Sequence, residues 1–381
     1  MKVLHLTLSY STGGRREAIA ALVEGLNDLG VANHLGCLGD FGCGADRRAM
    51  FAGSFSLGRD GLFDLRALRK LAAYCREQAI DIIHAHDAAS EATAALALPW
   101  RGPALLMTFH RSRDIETARF RDRVRNALVS LRVGAVVTAS EERRRHYIQR
   151  NYGARGKVSC IPLGIDLSRF RPDPQRRAQV RQLLGAGEGT VLVGTVGHFG
   201  VEKGVDLAVR AFQEFVHRRP GRDARMVVIG GGAEDDEKAL RALVAPDLAD
   251  RIVFAGFQPD PETWFPAFDV LLHGARREAF GLVLAEAQAC GVPVVAAGVG
   301  GIPEVVVDGQ TGCLVPAPMA DALAEALEGL VANEWLRLEC GRRAIAHAHR
   351  KFCRRRCAED YLQAYQRLQL DNGRVCTDAA V

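Results

Sequence analysis

Several features are scarce or missing in this sequence of 381 residues, and each excludes a class of protein. No apolar run reaches the roughly 18 residues that a membrane-spanning helix needs, so we expect no transmembrane segment. The ten cysteines form no C-x-x-C pair, which argues against a disulfide framework or a zinc site and favours reduced thiols. Aromatic residues make up 7% of the chain and few lie among the basic residues, so stacking on nucleic-acid bases is poorly supported.

The composition and length of the sequence indicate a folded protein with two domains. Hydrophobic residues make up 48% and charged residues 25% of the sequence, which is ordinary for a globular chain. The length is sufficient for two domains with a core in each. The amino-terminal stretch MKVLHLTLSYSTGG alternates before two glycines, so we interpret it as a first strand and turn rather than a signal peptide.

Apolar runs alternate with helical patterns along the chain. The first series predicts strands at 2–8, 31–38, 80–85, 104–109 and 135–139, with helices at 15–30, 65–78, from residue 90, and at 119–131. The second series predicts strands at 190–196, 226–229, 252–254, 268–272 and 292–297, with helices at 205–215, 320–333 and 335–349. Such alternation predicts parallel sheets covered by helices, with ligands at the carboxyl ends of the strands.

The most informative stretch is 271–306, LLHGARREAFGLVLAEAQACGVPVVAAGVGGIPEVV. A short strand leads into a basic loop and then into a predicted helix that carries Glu278 and Glu286. If helical, this spacing separates the glutamates by about 12 Å, whereas paired carboxylates of sugar chemistry lie roughly 5 to 9.5 Å apart. Carboxylates accept hydrogen bonds from hydroxyls, and the amides of Phe280, Gly281 and Leu282 at a helix start favour a phosphate. A nucleoside diphosphate sugar fits this order of groups.

The same run resembles the glutamate-seven-residues-glutamate signature of the retaining glycosyltransferases of the GT-B fold (glycosyl transferases group 1). The resemblance covers roughly residues 1–350 and is strongest over 190–316. It implies an α/β fold of two Rossmann-like, doubly wound domains facing a cleft. The implied parts are an acceptor-binding domain at 1–172, a nucleotide-sugar-binding domain at 187–355 and a C-terminal helix at 356–370 that crosses back to the first domain. The connecting stretch IPLGIDLSRFRPDP has Leu163 where the family usually has asparagine.

The resemblance also implies roles for individual residues. Glu278 is expected to bind hydroxyls of the donor sugar, and Glu286 the ribose. The sequence TFH at 108–110 is similar to the motif whose histidine, here His110, lines the donor sugar pocket. The glycines equivalent to Gly13 and Gly14 lie near the donor phosphates in that family.

A second loop, GHFGVEKG at 197–204, is similar to the family loop in which an arginine and a lysine neutralise the donor diphosphate. Lys203 is in place, but His198 stands at the arginine position. Histidine is a weaker phosphate ligand, because arginine is always charged and can donate two parallel hydrogen bonds. Arg276 and Arg277 are the candidates that would compensate.

These residues predict a metal-independent transfer of a sugar from a nucleoside diphosphate donor, with retention at the anomeric carbon and no cofactor. The residues expected to take part in catalysis are His110, Glu278 and Lys203. The residues expected to bind the donor are Gly13, Gly14, His198, Lys203, Glu278, Phe280, Gly281, Leu282 and Glu286. Neutralising the departing diphosphate is the main electrostatic task, and the family's favoured picture is front-face attack.

The acceptor is expected to be a glycan or lipid-linked molecule in polysaccharide or lipopolysaccharide biosynthesis. Residues 101–157 contain fourteen Lys and Arg against five acidic residues. Such a basic region suits an anionic membrane surface or an anionic substrate, and we prefer these to nucleic acid. The expected location is cytoplasmic, with peripheral contact at the inner face of the membrane as an option.

Three other functions stay open on the sequence alone: a sugar-nucleotide epimerase of the same architecture, a phosphorylase, and a non-catalytic basic adaptor for membrane or nucleic acid. The first would need acid and base groups around the sugar but no basic acceptor face.

His84 and His86 would point to one face of a strand, as metal ligands can. No third ligand is evident, so we expect no metal. The acidic run 234–237 is interpreted as a solvated helix start.

Overall fold

The computed structural model describes residues 1–11, 13–44, 46–61, 64–99, 102–110, 131–150 and 155–371. These residues form two compact units. Unit 1 contains Met1–Gly164 and the chain from Arg354 onward, and unit 2 contains Ile165–Cys353. Nearly all of the helix predicted at 119–131, much of the basic stretch, and the tail after Asp371 lie outside the described residues.

Unit 1 is built on a seven-stranded parallel sheet in the order β3-β2-β1-β4-β5-β6-β7. Its strands are Lys2–Thr7 (β1), Ala32–Cys37 (β2), Gly53–Ser56 (β3), Ile82–Ala85 (β4), Ala104–Phe109 (β5), Ala135–Thr138 (β6) and Val158–Cys160 (β7). Its first helices are Gly14–Asp28 (α1), Leu65–Glu77 (α2), Ala88–Ala97 (α3) and Glu141–Arg150 (α4). The strand order reverses between β1 and β4, the place where doubly wound sheets bind ligands.

Unit 2 is built on a six-stranded parallel sheet in the order β10-β9-β8-β11-β12-β13. Its strands are Val191–Val196 (β8), Ala224–Ile229 (β9), Ile252–Gly256 (β10), Val270–His273 (β11), Val294–Ala297 (β12) and Gly312–Val315 (β13). Its helices are Pro174–Leu183 (α5), Val205–Arg218 (α6), Glu234–Arg241 (α7), Leu282–Ala289 (α8), Ile302–Val305 (α9), Ala320–Ala332 (α10) and Glu334–Lys351 (α11). Here the order reverses between β8 and β11. The predicted class, two Rossmann-like α/β domains, is confirmed.

The last described helix, Arg354–Asp371 (α12), belongs to unit 1. It packs along α1, where Arg354 binds Glu24 at 2.7 Å. Its inner face buries Tyr361, Tyr365 and Leu368 in the same core as strands β1, β4, β5 and β6. A segment far along the chain therefore completes the core of the first unit.

The segment that follows Gly164 is held by unit 2. Arg169 forms a two-pronged ion pair with Glu262, with both N–O distances at 3.1 Å. In α5, Arg177 and Arg181 both bind Asp269, at 2.7 and 3.1 Å. Three arginines thus explain why this proline-containing stretch is part of the second unit.

Part of the basic stretch can be described. Arg132 and Lys157 donate hydrogen bonds to backbone carbonyls, at 2.8 and 3.2 Å. Arg144 binds Glu141 at 3.1 Å, and Arg143 is buried beside Glu142. These cations serve contacts inside unit 1. No helix in the described ranges combines the length and apolar character needed to cross a membrane.

Candidate functional site

The candidate site in unit 2 is built by two loops, 197–204 after β8 and 274–281 after β11. The loops cross at Gly204 and Gly274. A Cβ on Gly204 would lie 1.8 Å from the carbonyl oxygen of Gly274, and a Cβ on Gly274 would lie 2.2 Å from that of Gly204. Gly204 also has a φ of +59°, in the left-handed region that favours glycine. The loops can approach so closely only because both crossing positions are glycine.

Arg276 fastens the same two loops together. Its guanidinium donates to both carboxylate oxygens of Asp206 at 2.7 Å and to the Val201 carbonyl at 2.9 Å. The hydrogen bonds that Arg276 donates to Asp206 hold the pKa of Arg276 above its usual value, although burial opposes this. Arg276 is therefore already bound, and of the two arginines considered as phosphate ligands only the exposed Arg277 has no ion pair among the described residues.

The crossing brings Lys203 to Glu278, with Nζ 2.6 Å from Oε2. Glu278 is 8% exposed, whereas the Lys203 side chain is 39% exposed. His273 Nε2 lies 3.6 Å from the same carboxylate, slightly beyond hydrogen-bonding distance. Burial raises the pKa of Glu278, but His273 and the positive charge of Lys203 more than offset it and lower the pKa to about 2. Glu278 is therefore ionised at neutral pH and accepts hydrogen bonds only.

The structure corrects one expectation, because the helix does not carry both glutamates. Helix α8 begins at Leu282, so Glu278 lies in the preceding loop and only Glu286 is on the helix. The Gly301 amide donates to the Glu278 carbonyl at 3.0 Å, and a Cβ on Gly300 would lie 1.9 Å from that oxygen. The glycines of the GVGG loop thus hold the backbone of Glu278 out of helical conformation, and the separation calculated for a continuous helix does not apply.

The start of α8 presents backbone amides that no described residue pairs. Gly281 caps the helix with a φ of +94° and has no side chain to satisfy them. Within the described ranges, the amides of Phe280, Gly281, Leu282 and Val283 have no hydrogen-bond partner. Glu286 is one turn further along and is 8% exposed. Unpaired amides at a helix start, with a buried carboxylate on either side, form an arrangement that can bind a phosphate flanked by hydroxyls.

His198 lies in the first loop and is exposed. Its Nδ1 accepts a hydrogen bond from the Gly200 amide at 3.0 Å. An Nδ1 that accepts leaves the proton on Nε2, so the ring can donate one hydrogen bond from Nε2 to an anion. The expected arginine would donate more than one.

The remaining predicted residues lie in unit 1, at the carboxyl ends of neighbouring strands. Gly13 follows β1 and caps α1 with a φ of +126°, and Gly14 is the first residue of that helix. His110 follows β5 and lies 3.2 Å from His86, which follows β4. The structure thus joins Lys203 to Glu278 and places Phe280, Gly281 and Leu282 at one helix start. It places Gly13, Gly14 and His110 at one edge of the other sheet.

The structure also supplies a histidine that the sequence analysis missed. His5 on β1 pairs with His84 on β4, so His5, His84 and His86 have ligand atoms within 4.8 Å of one another. No third ligand was evident from the sequence, because the contact of His5 with the other two depends on a strand order that the sequence does not display. All six ring nitrogens already have hydrogen-bond partners, and we interpret the group as a hydrogen-bonded network.

Comparisons with known proteins agree with this architecture. The family model "Glycosyltransferase Family 4" matches residues 12–169, and "Glycosyl transferases group 1" matches residues 190–333. The D-inositol 3-phosphate glycosyltransferase of Nocardia farcinica is 33% identical over 304 residues, which are 75% of this chain and 66% of that protein. The protein of the same name from Corynebacterium diphtheriae is 34% identical over 293 residues, which are 72% and 68%. The chain spans about two thirds of these relatives.

The solved structures add the fold. The crystal structure of Anabaena HepE in complex with UDP-glucose has a TM-score of 0.81 and 22% sequence identity, and the match covers 98% of this chain and 100% of that one. The two domains and these neighbours define the GT-B class of glycosyltransferase folds. This chain belongs to the family of group 1 glycosyltransferases, so this part of the prediction is confirmed, whereas the retaining stereochemistry and the glutamate signature stay predictions. The roles of individual site residues stay predictions.

Proposed function

We propose that this protein transfers a sugar from a nucleoside diphosphate sugar to an acceptor hydroxyl, with retention at the anomeric carbon and without a metal or cofactor. The observation that carries the proposal is the ion pair of partly exposed Lys203 with buried Glu278, beside amides at the start of α8 that no described residue pairs. A diphosphate requires cations and amide donors, whereas sugar hydroxyls require a carboxylate acceptor. Lys203 and the amides at the start of α8 meet the first requirement, and the carboxylate of Glu278 beside them meets the second.

The same geometry suggests how the reaction is assisted. The bond from the anomeric carbon to the diphosphate breaks, and negative charge grows on the departing phosphate. Lys203, the amides at Gly281 and Leu282, and the Nε2–H of His198 would stabilise that charge. The acceptor oxygen bonds to the same face of the carbon, and its proton passes to the departing phosphate. Glu278 would hold donor sugar hydroxyls, because its carboxylate is ionised and already paired.

For the donor we propose a uridine diphosphate sugar. This choice is supported by Anabaena HepE, whose structure contains UDP-glucose. In the proposed arrangement Glu286 binds the ribose, four residues after the helix start. The glutamate signature and the retaining stereochemistry belong to this proposal.

For the acceptor we propose D-inositol 3-phosphate as the first candidate, because several relatives carry that name. A lipid-linked glycan for polysaccharide or lipopolysaccharide synthesis, bound from the cytoplasmic face of a membrane, is the second candidate. It is supported by the excess of basic residues between 101 and 157. Against it, four of those that the structure describes bind acids or carbonyls within unit 1.

Calorimetric titration of UDP-, GDP- and ADP-glucose into the wild type, Glu286→Ala and Glu234→Ala tests the donor site. We expect one base series to bind and to weaken by about 1.5 to 3 kcal/mol in Glu286→Ala, the range for a hydrogen bond to a charged group. Glu234 is a matched control, since its side chain is 81% exposed and pairs with Lys238. No binding of any series, or equal affinity in both variants, would overturn the donor site.

A transfer assay then separates the candidate functions. The wild type is incubated with the donor that binds and with D-inositol 3-phosphate, a lipid-linked glycan or no acceptor. Retention is read from the anomeric configuration of the product by NMR. A changed sugar nucleotide without any acceptor would indicate an epimerase. Binding of anionic vesicles without turnover would indicate an adaptor.

A further inference from the structure

A chain of hydrogen bonds crosses the sheet of unit 1 and ends at His110. It links side chains on or just after four adjacent strands, β2, β1, β4 and β5. The successive distances are 3.0 Å from Asn33 Oδ1 to His5 Nε2, 3.0 Å from His5 Nδ1 to His86 Nε2, and 3.2 Å from His86 Nδ1 to His110 Nε2. Asn33, His5 and His86 are each 2% exposed or less, so water cannot substitute for a missing bond.

The direction of the hydrogen bond between Asn33 and His5 is fixed by backbone carbonyls. Asn33 Nδ2 lies 3.0 Å from the Val31 carbonyl oxygen and 2.8 Å from Asn27 Oδ1. The Asn27 amide is oriented in turn, because its own Nδ2 donates to the Met50 carbonyl at 2.8 Å. Carbonyl oxygens only accept, so Asn33 must direct its NH₂ toward them and its Oδ1 toward His5. His5 therefore carries its proton on Nε2.

The direction of donation that is fixed at Asn33 and His5 also fixes the direction at the next two rings. Burial, partly offset by the hydrogen bond to Asn33, lowers the pKa of His5 to about 4, so the ring is neutral and its Nδ1 has a lone pair. That lone pair accepts from His86 Nε2–H. Burial, reinforced by the neighbouring histidines, also keeps His86 neutral by lowering its pKa, so its Nδ1 accepts from His110 Nε2–H. The reverse arrangement would place two lone pairs or two protons face to face in a buried site, at a cost of roughly 1 to 3 kcal/mol for each unsatisfied group.

We propose that His5 and His86 are positioning residues that hold His110 as its Nε2–H tautomer and leave His110 Nδ1 as a permanent hydrogen-bond acceptor. Across the described ranges, the His110 side chain makes one hydrogen bond, the one to His86. Nδ1 then selects a ligand group that donates, such as a hydroxyl, and disfavours one that only accepts, such as a phosphate oxygen. That this hydroxyl belongs to the donor sugar rests on the proposed function, whereas the tautomer does not.

Charged neighbours leave this assignment intact. Burial and the positive charge of Arg15 lower the pKa of His110 to about 4, and the negative charge of Asp87 only partly offsets them. Arg15 and Asp87 are 3.7 Å apart. His110 is thus neutral at pH 7, and its tautomer is decided by the hydrogen bond to His86.

The chain contains a matched control in the same cluster. His84 is fully buried next to His5 and His86, but its ring nitrogens bind Tyr365 at 2.7 Å and Thr108 at 2.6 Å. It makes no hydrogen bond in the chain that leads to His110. Removing His84 therefore tests the general cost of losing a buried histidine, whereas removing His5 also breaks the chain.

The decisive experiment is long-range ¹H–¹⁵N NMR of histidine-labelled protein, which distinguishes protonated from unprotonated ring nitrogens. Spectra are recorded for the wild type, His5→Phe and His84→Phe, and His110→Gln identifies the signals of residue 110. We expect a protonated Nε2 and an unprotonated Nδ1 in the wild type and in His84→Phe. In His5→Phe we expect mixed protonation, because His86 is then free to turn its proton toward His110. A protonated Nδ1 in the wild type, or an unchanged tautomer in a folded His5→Phe, would overturn the proposal.

Kinetics supply an independent readout. If a ligand hydroxyl donates to Nδ1, kcat/KM should fall about three- to tenfold in His5→Phe, the equivalent of one neutral hydrogen bond. His84→Phe should change it by no more than about twofold. The wild-type spectrum decides the tautomer even if a variant fails to fold. Absence of sugar transfer in the wild type would refute the proposed function and leave the tautomer result standing.

Discussion

Lys203 and Glu278 are 75 positions apart in the sequence, yet Nζ of one lies 2.6 Å from Oε2 of the other. The contact exists because Gly204 and Gly274 let two loops cross and because Gly301 holds the backbone of Glu278. The cation of the pair is partly exposed and the anion is buried. A ligand phosphate can therefore approach Lys203 while Glu278 stays ionised.

Replacing Glu278 with glutamine should separate sugar binding from diphosphate binding. The amide keeps the shape but loses the charge that holds hydroxyls and Lys203. We expect the UDP-sugar to bind more weakly by about 1.5 to 3 kcal/mol, while free UDP binds equally well or more tightly. Calorimetry with both ligands measures the ratio of the affinity for the UDP-sugar to the affinity for free UDP. Glu262→Gln is the control, since Glu262 is equally buried in an ion pair with Arg169; a similar change of ratio there would remove Glu278 from the sugar site.

Glu278 should also make stability depend on pH. Its pKa is about 2 in the folded protein against 4.5 ordinarily, so its contribution is complete above about pH 4.5 and is lost as the pH falls toward 2. The full contribution is about 3.5 kcal/mol at most, and the expected slope is about 1.4 kcal/mol per pH unit below pH 4.5. Urea unfolding of wild type and Glu278→Gln from pH 7 to pH 3 measures it. Parallel curves for the two proteins would show that the pair contributes no pH-dependent stability.

Alanine at position 204 should damage both stability and site. Its Cβ would strike a backbone oxygen at 1.8 Å in addition to the strain of φ +59°. Gly256→Ala is the matched control, because Gly256 has a φ of +69° and no atom within 4 Å of its Cβ position. We expect a loss of about 1 to 2 kcal/mol in the control, from backbone strain alone, and at least about 2 kcal/mol more in Gly204→Ala. Urea unfolding compares them; equal losses would mean that the loops separate without cost.

Arginine at position 198 should strengthen diphosphate binding. His198 can donate one hydrogen bond from Nε2, whereas arginine donates several and is always charged. We expect UDP to bind about 1 to 2 kcal/mol more tightly, with the gain reduced at high salt. His217→Arg controls for added charge, since this exposed residue lies about 18 Å along α6 from the loop. An unchanged affinity in His198→Arg would place the diphosphate elsewhere.

Much of the fold could be predicted because buried parallel strands are continuous apolar runs. The strand predicted at 104–109 is observed over Ala104–Phe109, and the helix predicted at 65–78 is observed over Leu65–Glu77. Gly53–Ser56 was not predicted, because GSFS lacks a run of β-branched residues. Glu141–Arg150 was not predicted either, since EERRRHYIQR has no clear apolar stripe.

The site could be predicted only as separate motifs. The loop 197–204 and Glu278 were both predicted as site candidates, but their contact depends on glycines whose effect appears only when the two loops meet. The conformation of Glu278 depends on Gly300 and Gly301, more than twenty positions later. His5 could be joined to His84 only through the strand order of the sheet. Local patterns predict local structure, whereas contacts across a sheet require its topology.

Because unit 1 is interrupted by unit 2, its folding is tied to the timing of protein synthesis. Helix α12 supplies Tyr365 to His84 and Tyr361 to Thr108, and it is made after all of unit 2. At typical rates, the ribosome needs roughly 10 to 40 s to pass from residue 165 to residue 371. During this interval the amino-terminal sheet lacks the helix that covers His84 and part of one apolar face. The uninterrupted unit 2 can complete its core first, although it is encoded second.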